Sequence, residues 1–378
     1  MSAGRRGLAA WALYDWANNG FSTVVLTFVF APYFTERVAG DTAAGSNLWG
    51  NMLAASNLLA ALSGPVLGAA ADRMGRRKPW IGAFTGLCAA ATAGLWLAKP
   101  EPVWIWPALA LMFTAASASQ LAMIFYNAML PDLAPAGRVG RWSGWGWGLG
   151  YAGGLACLGL SWLLFLGDDS LVGLQGASAV RAVVVLAALW YALFSLPLLV
   201  FSPERPGGGE PLGRAARRGL GQLRESLGRL RRRPGLLRFL AARMLYNDGL
   251  VTLFAFGGVY AAGTFGLNEG ETLLFGVLLS ATAGAGALGF SWIDDAVGPR
   301  RTILAALGCM MAIGAVLVLT RSTAVFWVFS AVLGLFVGPV QASSRSWLAQ
   351  AAPAEMRGEL FGLYALSGKL TAFAGPLA

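Results

Sequence analysis

Eleven stretches of predominantly apolar residues follow one another along this chain, near 8–33, 47–71, 79–98, 103–126, 143–166, 181–202, 237–262, 272–293, 302–320, 323–346 and 359–378. A helix of about 20 such residues matches the hydrocarbon core of a bilayer. Backbone in lipid must satisfy its own hydrogen bonds, which leaves helices and closed barrels as the spanning structures. Runs this long specify helices, so the expected fold class is an all-α membrane protein. Composition agrees: 57% of the residues are hydrophobic and 12% charged, about half the charge of a soluble domain. An ordinary cytosolic enzyme is excluded, as is a disordered or collagen-like chain despite 51 glycines.

The net charge of +10 sits in short loops between the runs. It therefore reads as topology, not as a nucleic-acid surface. With the N-terminus in the cytoplasm, 21 Lys and Arg fall on the cytoplasmic side and four on the outer side. Three more, Arg243, Arg345 and Lys369, fall inside apolar runs. The N-terminus has no cleavable signal pattern, so a multi-pass protein of the bacterial inner membrane is expected. There is no histidine, and the three cysteines are isolated in apolar runs. No metal site, disulfide framework or cofactor is expected. No Gly-Lys-Ser/Thr phosphate loop is present, which argues against ATP-driven transport.

One long loop interrupts the runs. Residues 203–236 open with Pro206 and three glycines and then turn strongly basic. Leu220, Leu223, Leu227 and Leu230 recur at helical spacing among arginines, which suggests an amphipathic helix on the inner leaflet. This linker separates residues 1–202, with six runs, from residues 237–378, with five. Features repeat across it. Gly68, Asp72, Arg73, Gly75, Arg76 and Arg77 stand at the end of the second run and in the turn after it; Asp295, Gly298, Arg300 and Arg301 follow the eighth, with Ser291 where the first glycine would stand and Asp295 223 residues beyond Asp72. Ala134-Pro135-Ala136 leads to Gly140 and Gly144, and Ala352-Pro353-Ala354 leads to Gly358 and Gly362, 218 residues later. The chain reads as two parallel six-helix repeats related by an axis along the membrane normal.

The turn from Gly68 to Lys78 resembles the G-x-x-x-D-R-x-G-R-R signature of the major facilitator superfamily. Tyr14–Asn19, Phe125–Asp132 and Arg243–Gly249 are similar to the bacterial branch related to the autophagy-related vacuole effluxers. That resemblance implies two six-helix bundles and twelve helices, so this chain is expected to be truncated within helix eleven. It implies a secondary transporter working by alternating access. Amino acids are the favoured small-molecule cargo, moved outward and coupled to protons. It also implies that Asp72 helps to hold the cytoplasmic gate shut, with the N-terminus of the eleventh helix as its partner.

Polar residues inside apolar runs are costly and usually face a cavity or a partner. Asp15, Asn18, Asn19 and Ser22 form one stripe on the first run. Gln120 and Asn127 share a face of the fourth, beside Tyr126. Arg243 and Asn247, with Asp248 adjacent, mark the seventh; Gln341, Ser344 and Arg345 the tenth; Tyr364, Ser367 and Thr371, with Lys369, the eleventh. The superfamily resemblance places the first, fourth, seventh and tenth helices around the central cavity. Three buried cations against two anions, Asp15 and Asp248, suit a substrate with a carboxylate. Those two acids are then the proton carriers. The other class open to this sequence is a non-transporting receptor or scaffold that keeps the fold.

Overall fold

The computed structural model describes residues 4–204, 228, 230 and 233–369. The leucine-rich amphipathic segment, apart from Gly228 and Leu230, and Thr371 lie outside the described residues. Eleven long helices and no strand are present among those described: α1 (Arg5–Gly20), α2 (Thr42–Met74), α3 (Lys78–Gly94), α4 (Ile105–Leu133), α5 (Val139–Ser161), α6 (Gly176–Phe201), α7 (Pro234–Phe265), α8 (Glu269–Val297), α9 (Pro299–Leu319), α10 (Thr323–Ala351) and α11 (Arg357–Ser367). Eight of them, α2 to α6 and α8 to α10, are individually long and apolar enough to cross a membrane. α7 makes a ninth when its two parts, Pro234–Phe254 and Phe256–Phe265, inclined at 45°, are taken as one span.

Helix ends follow local chemistry, which is why several helices outrun their apolar stretches. Asp41 caps α2 by accepting the N–H groups of Ala43 and Ala44 at 2.9 and 3.2 Å. Gly75 ends it with φ 68°, a left-handed conformation that favours glycine. Asn268 and Glu271 form a reciprocal capping box that starts α8. α9 opens on Pro299, where a missing N–H costs nothing. α1 is the irregular one. It runs on through a π-helical stretch, Phe21–Phe28, one turn at Phe30–Tyr33, and a second π-helical stretch, Phe34–Val38.

α1 packs along α5 and α6, α3 along α4 and α6, and α2 on α4; α10 packs along α8 and α9. Two long contacts join α1–α6 to α7–α11: α2 against α11, and α5 against α8. One large core fills α1–α6 and reaches into the ends of α10 and α11. Two smaller clusters fill α7–α10. The turns α2–α3, α4–α5, α8–α9 and α10–α11 carry the arginines of the repeated motifs, and this end of the bundle is called the basic end below.

Candidate functional site

Small residues decide how closely the two helix groups approach. A Cβ added at Gly362 would lie 2.5 Å from Pro65 N and 2.6 Å from Gly64 O, and one at Gly358 would lie 2.5 Å from Gly68 O. α2 and α11 therefore touch backbone to backbone. The same geometry recurs between α5 and α8. A Cβ at Gly144 would meet Ala287 O and the Ser291 Cβ, both at 2.5 Å, and one at Gly140 would meet the Asp294 carboxyl at 2.6 Å. Alternating glycines of α5 serve two neighbours. Gly144 and Gly148 face α8, whereas Gly146, Gly150 and Gly153 face α1.

At the basic end each crossing is tied by a carboxylate at a helix N-terminus. Asp72 accepts the Glu359 N–H in the first turn of α11 at 3.1 Å and a bond from Arg77 at 3.0 Å. Arg77, itself buried, also donates to Asp132 at 2.6 Å and to Ala128 O at 2.7 Å. Asp132 in turn pairs with Arg357. Asp295 repeats the role of Asp72: it accepts the Arg141 N–H at 3.1 Å in the first turn of α5 and faces its guanidinium at 3.5 Å. The offsets of 223 and 218 map Asp72 onto Asp295 and Glu359 onto Arg141.

The repeat is incomplete at the arginines. Arg300 occupies the position corresponding to Arg77, and Gln350 the position corresponding to Asp132. Gln350 is neutral and bonds Ser346 at 3.0 Å. With no carboxylate facing it there, Arg300 is exposed, as is Arg301, and neither makes a hydrogen bond or ion pair among the described residues. The sequence pattern grouped both with the gate; the structure sets them outside its contacts. Arg76 is likewise exposed.

Deeper in the bundle lies a buried charge network. Arg345, 1% exposed, meets Asp15, 2% exposed, at 2.9 Å. Tyr126 donates to the same Asp15 oxygen at 2.8 Å. Arg345 also donates to Asn127 Oδ1 at 3.1 Å and to the Ser143 hydroxyl and carbonyl at 3.0 and 2.7 Å. Its guanidinium lies 5.0 Å from the centre of the Trp11 ring, which stacks on Tyr126. One side chain of α10 thus holds α1, α4 and α5. Asn127 and Arg345 are repeat mates, 218 residues apart. A Cβ at Gly146 would lie 2.6 Å from the Asp15 carboxylate and 2.7 Å from Arg345, so glycine is required there.

The remaining stripe residues divide. Asn18 is taken up by Ser119 and Tyr191 at 2.8 and 3.0 Å, Asn19 by the Asp15 carbonyl, and Gln120 by Ser56. These bonds tie α1, α2, α4 and α6 together. Arg243, Asn247, Gln341 and Lys369 instead line a cavity of about 410 Å³. Arg243 stands nine residues beyond Pro234, Gln341 ten before Ala351, and Lys369 twelve beyond Arg357. At 1.5 Å per residue they stand about 14–18 Å along their helices from the basic end. Lys369 donates to Asn57 at 2.8 Å. Arg243 donates to Tyr364 O and Ser367 Oγ at 2.6 and 3.0 Å and lies 3.5 Å from the centre of the Tyr364 ring. None of the described residues lining the cavity is acidic. Asp248 is not among them.

Sequence reasoning missed Asn57, Trp147 and Tyr246 as cavity residues. Asn57 carried a signal, as an amide inside the second apolar run. Trp147 was hidden in a tryptophan-glycine tract that reads as packing.

A family model described as "Vacuole effluxer Atg22 like" matches residues 51–378. The chain belongs to this family. It is 28% identical over 375 residues to an uncharacterized MFS-type transporter, YxiO, of Bacillus subtilis (strain 168), covering 97% of this chain and 86% of that relative. It is 25% identical over 262 residues to Autophagy-related protein 22-1 of Penicillium rubens, covering 62% of this chain and 43% of the fungal one. Among solved structures it is similar to the human organic anion transporter MFSD10 (TM-score 0.75, 17% identity, 99% of this chain and 92% of that one). The proton:xylose symporter XylE is a second likeness (TM-score 0.73, 15% identity, 98% and 86%). At these identities the structural likeness establishes the fold alone, the all-α major-facilitator fold; that the Atg22-like chain is a multi-pass membrane transporter rests on its family and on the Bacillus relative.

Proposed function

We propose that this Atg22-like transporter moves a small solute bearing a carboxylate, amino acids first, by rocking its two bundles about the central cavity. The observation that carries this reading is the pair of cations, Arg243 and Lys369, in a cavity between the helices whose described lining holds no acid. Both have neutral partners there, Asn57, Ser367 and backbone oxygens. A carboxylate entering the cavity would add a Coulombic attraction to both cations that these neutral acceptors do not supply. Efflux is the direction suggested by the family's description. The 21-to-4 bias of basic residues supports a cytoplasmic N-terminus in the inner membrane, so that the basic end is the cytoplasmic gate.

Proton coupling is assigned to Asp15 and Asp248. A proton on Asp15 would remove the charge that holds Arg345, freeing α10 from α1. That gives the rocking motion a two-state element that protons bias.

Two measurements test this reading. Binding is read as a ligand-dependent rise in Tm of the purified protein against amino acids, organic acids and sugars, because ligand stabilises the folded state by mass action. Carboxylates are expected to raise Tm. Lys369→Ala and Arg243→Gln are each expected to abolish the rise while leaving the unliganded Tm within a few degrees. A rise with neutral sugars that survives both substitutions would overturn the proposal. The gate is tested separately. Asp72→Asn should slow flux at least fivefold while leaving the ligand-induced Tm rise intact; unchanged flux would remove Asp72 from the gate.

A further inference from the structure

A second cavity, about 350 Å³, lies between α7, α9 and α10. Its lining is graded along the membrane normal. On α9, Arg300 stands in the first turn, with Leu304 and Leu307 four and seven residues deeper on the same face. On α7, Arg238 stands in the second turn, with Phe239 and Ala242 following on the same face. The wall between them is Phe239 stacked on Trp347, ring centres 4.1 Å apart. Leu304 is 60% exposed, so the groove opens sideways toward lipid. Neither Arg238 nor Arg300 makes a hydrogen bond or ion pair among the described residues. The first turns of α7 and α9 contain no acidic residue either.

From this arrangement we infer that the groove is the seat of one anionic phospholipid. Its phosphate sits between Arg238 and Arg300 at headgroup level, and one acyl chain lies along Leu304, Leu307 and the Phe239–Trp347 wall. Three features select this occupant. The two unpaired cations occupy the helix turns at the basic end, where anionic lipids of the adjoining leaflet present their phosphates. The polarity changes from charged to apolar over the seven residues from Arg300 to Leu307, about 10 Å of helix, as it does from headgroup to acyl chain. The opening faces the membrane, so the lipid reaches the site without leaving the leaflet. The position also explains why Arg300, deprived of an acidic partner by Gln350, is tolerated at this depth. Tyr246 lines both this groove and the central cavity, and its hydroxyl bonds Ser344 at 2.7 Å on the cavity side. A bound lipid would therefore press on the wall of the central cavity.

The test is native mass spectrometry of the full chain in detergent, titrated with dioleoyl phosphatidylglycerol or dioleoyl phosphatidylcholine. One phosphatidylglycerol adduct is expected to form at least fivefold more readily than the phosphatidylcholine adduct. Arg238→Gln with Arg300→Gln, both surface changes, should lower that adduct at least fivefold. Arg5→Gln with Arg6→Gln, an equal loss of exposed charge at the same end, should leave it within twofold. Leu304→Trp, which fills the groove and keeps both arginines, should lower it at least threefold. Equal binding of the two lipids overturns the inference. So does an equal loss in the two arginine pairs, which would mean general attraction to the basic end, and so does an unchanged adduct in Leu304→Trp.

Discussion

Replacing Arg345 with leucine is expected to destabilise the protein by about 3–5 kcal/mol, the usual cost of removing one partner from a buried ion pair. The substitution strands the Asp15 carboxylate, 2% exposed, with only the Tyr126 hydroxyl at 2.8 Å. It also leaves the Ser143 carbonyl and Asn127 without the donor they share. Adding Asp15→Asn should recover a large part of the loss, because the orphaned charge is then gone. A double-mutant cycle on thermal unfolding in detergent reads the coupling directly. Additive losses would show that the two side chains do not act as a pair. The same cycle run on flux separates stability from mechanism. If the pair also locks the halves together, Asp15→Asn alone will fold, bind ligand and lose its response to pH.

Gly358→Val is expected to lower flux at least tenfold while ligand-induced stabilisation persists. Its Cβ would lie 2.5 Å from Gly68 O and 2.9 Å from Asp72 Oδ1, so α2 and α11 cannot close at the basic end. These are backbone and buried-carboxylate contacts, with no flexible side-chain tip to give way. Gly362→Val meets Pro65 and Gly64 in the same way and should behave alike. Gly308→Val, on α9 where an added Cβ meets nothing within 4 Å, is the control and should transport normally. Wild-type flux in Gly358→Val would mean that the transport cycle does not need this close approach.

The parts legible in the sequence are those written as repeats. Asp72 and Gly75, and Gly358 and Gly362, recur at fixed offsets, and a repeat constrains two places at once. The facing of Asp72 toward the start of α11 came instead from the resemblance to the major facilitator superfamily. Partnerships made through space were not legible. Asp15 and Arg345 are 330 residues apart, and nothing in the spacing prefers Arg345 to Arg243 or Lys369 as the partner of Asp15. The polar stripes were readable as stripes, but not which of them face a cavity. Asn18 satisfies itself on Ser119 and Tyr191, whereas Asn247 on α7 reaches the cavity and donates to Gly368 O at 2.7 Å. The repeat also misled at Arg300, whose placement depends on residue 350 being glutamine on a different helix. Helix lengths exceeded the apolar runs because caps such as Asp41 and Gly75 are polar or small and leave no trace in hydropathy.

The central claim is that Arg243 and Lys369 make the cavity a carboxylate site in a working transporter. Counterflow in proteoliposomes tests it most directly. Vesicles loaded with unlabelled amino acids, dicarboxylates or sugars are diluted into trace labelled solute, and uptake is followed for the parent chain and for Lys369→Ala. The account predicts exchange of one carboxylate-bearing class, abolished by Lys369→Ala in protein whose unliganded Tm is within a few degrees of the parent's. Exchange of a neutral sugar, or carboxylate exchange that Lys369→Ala leaves at the parent rate, would contradict it.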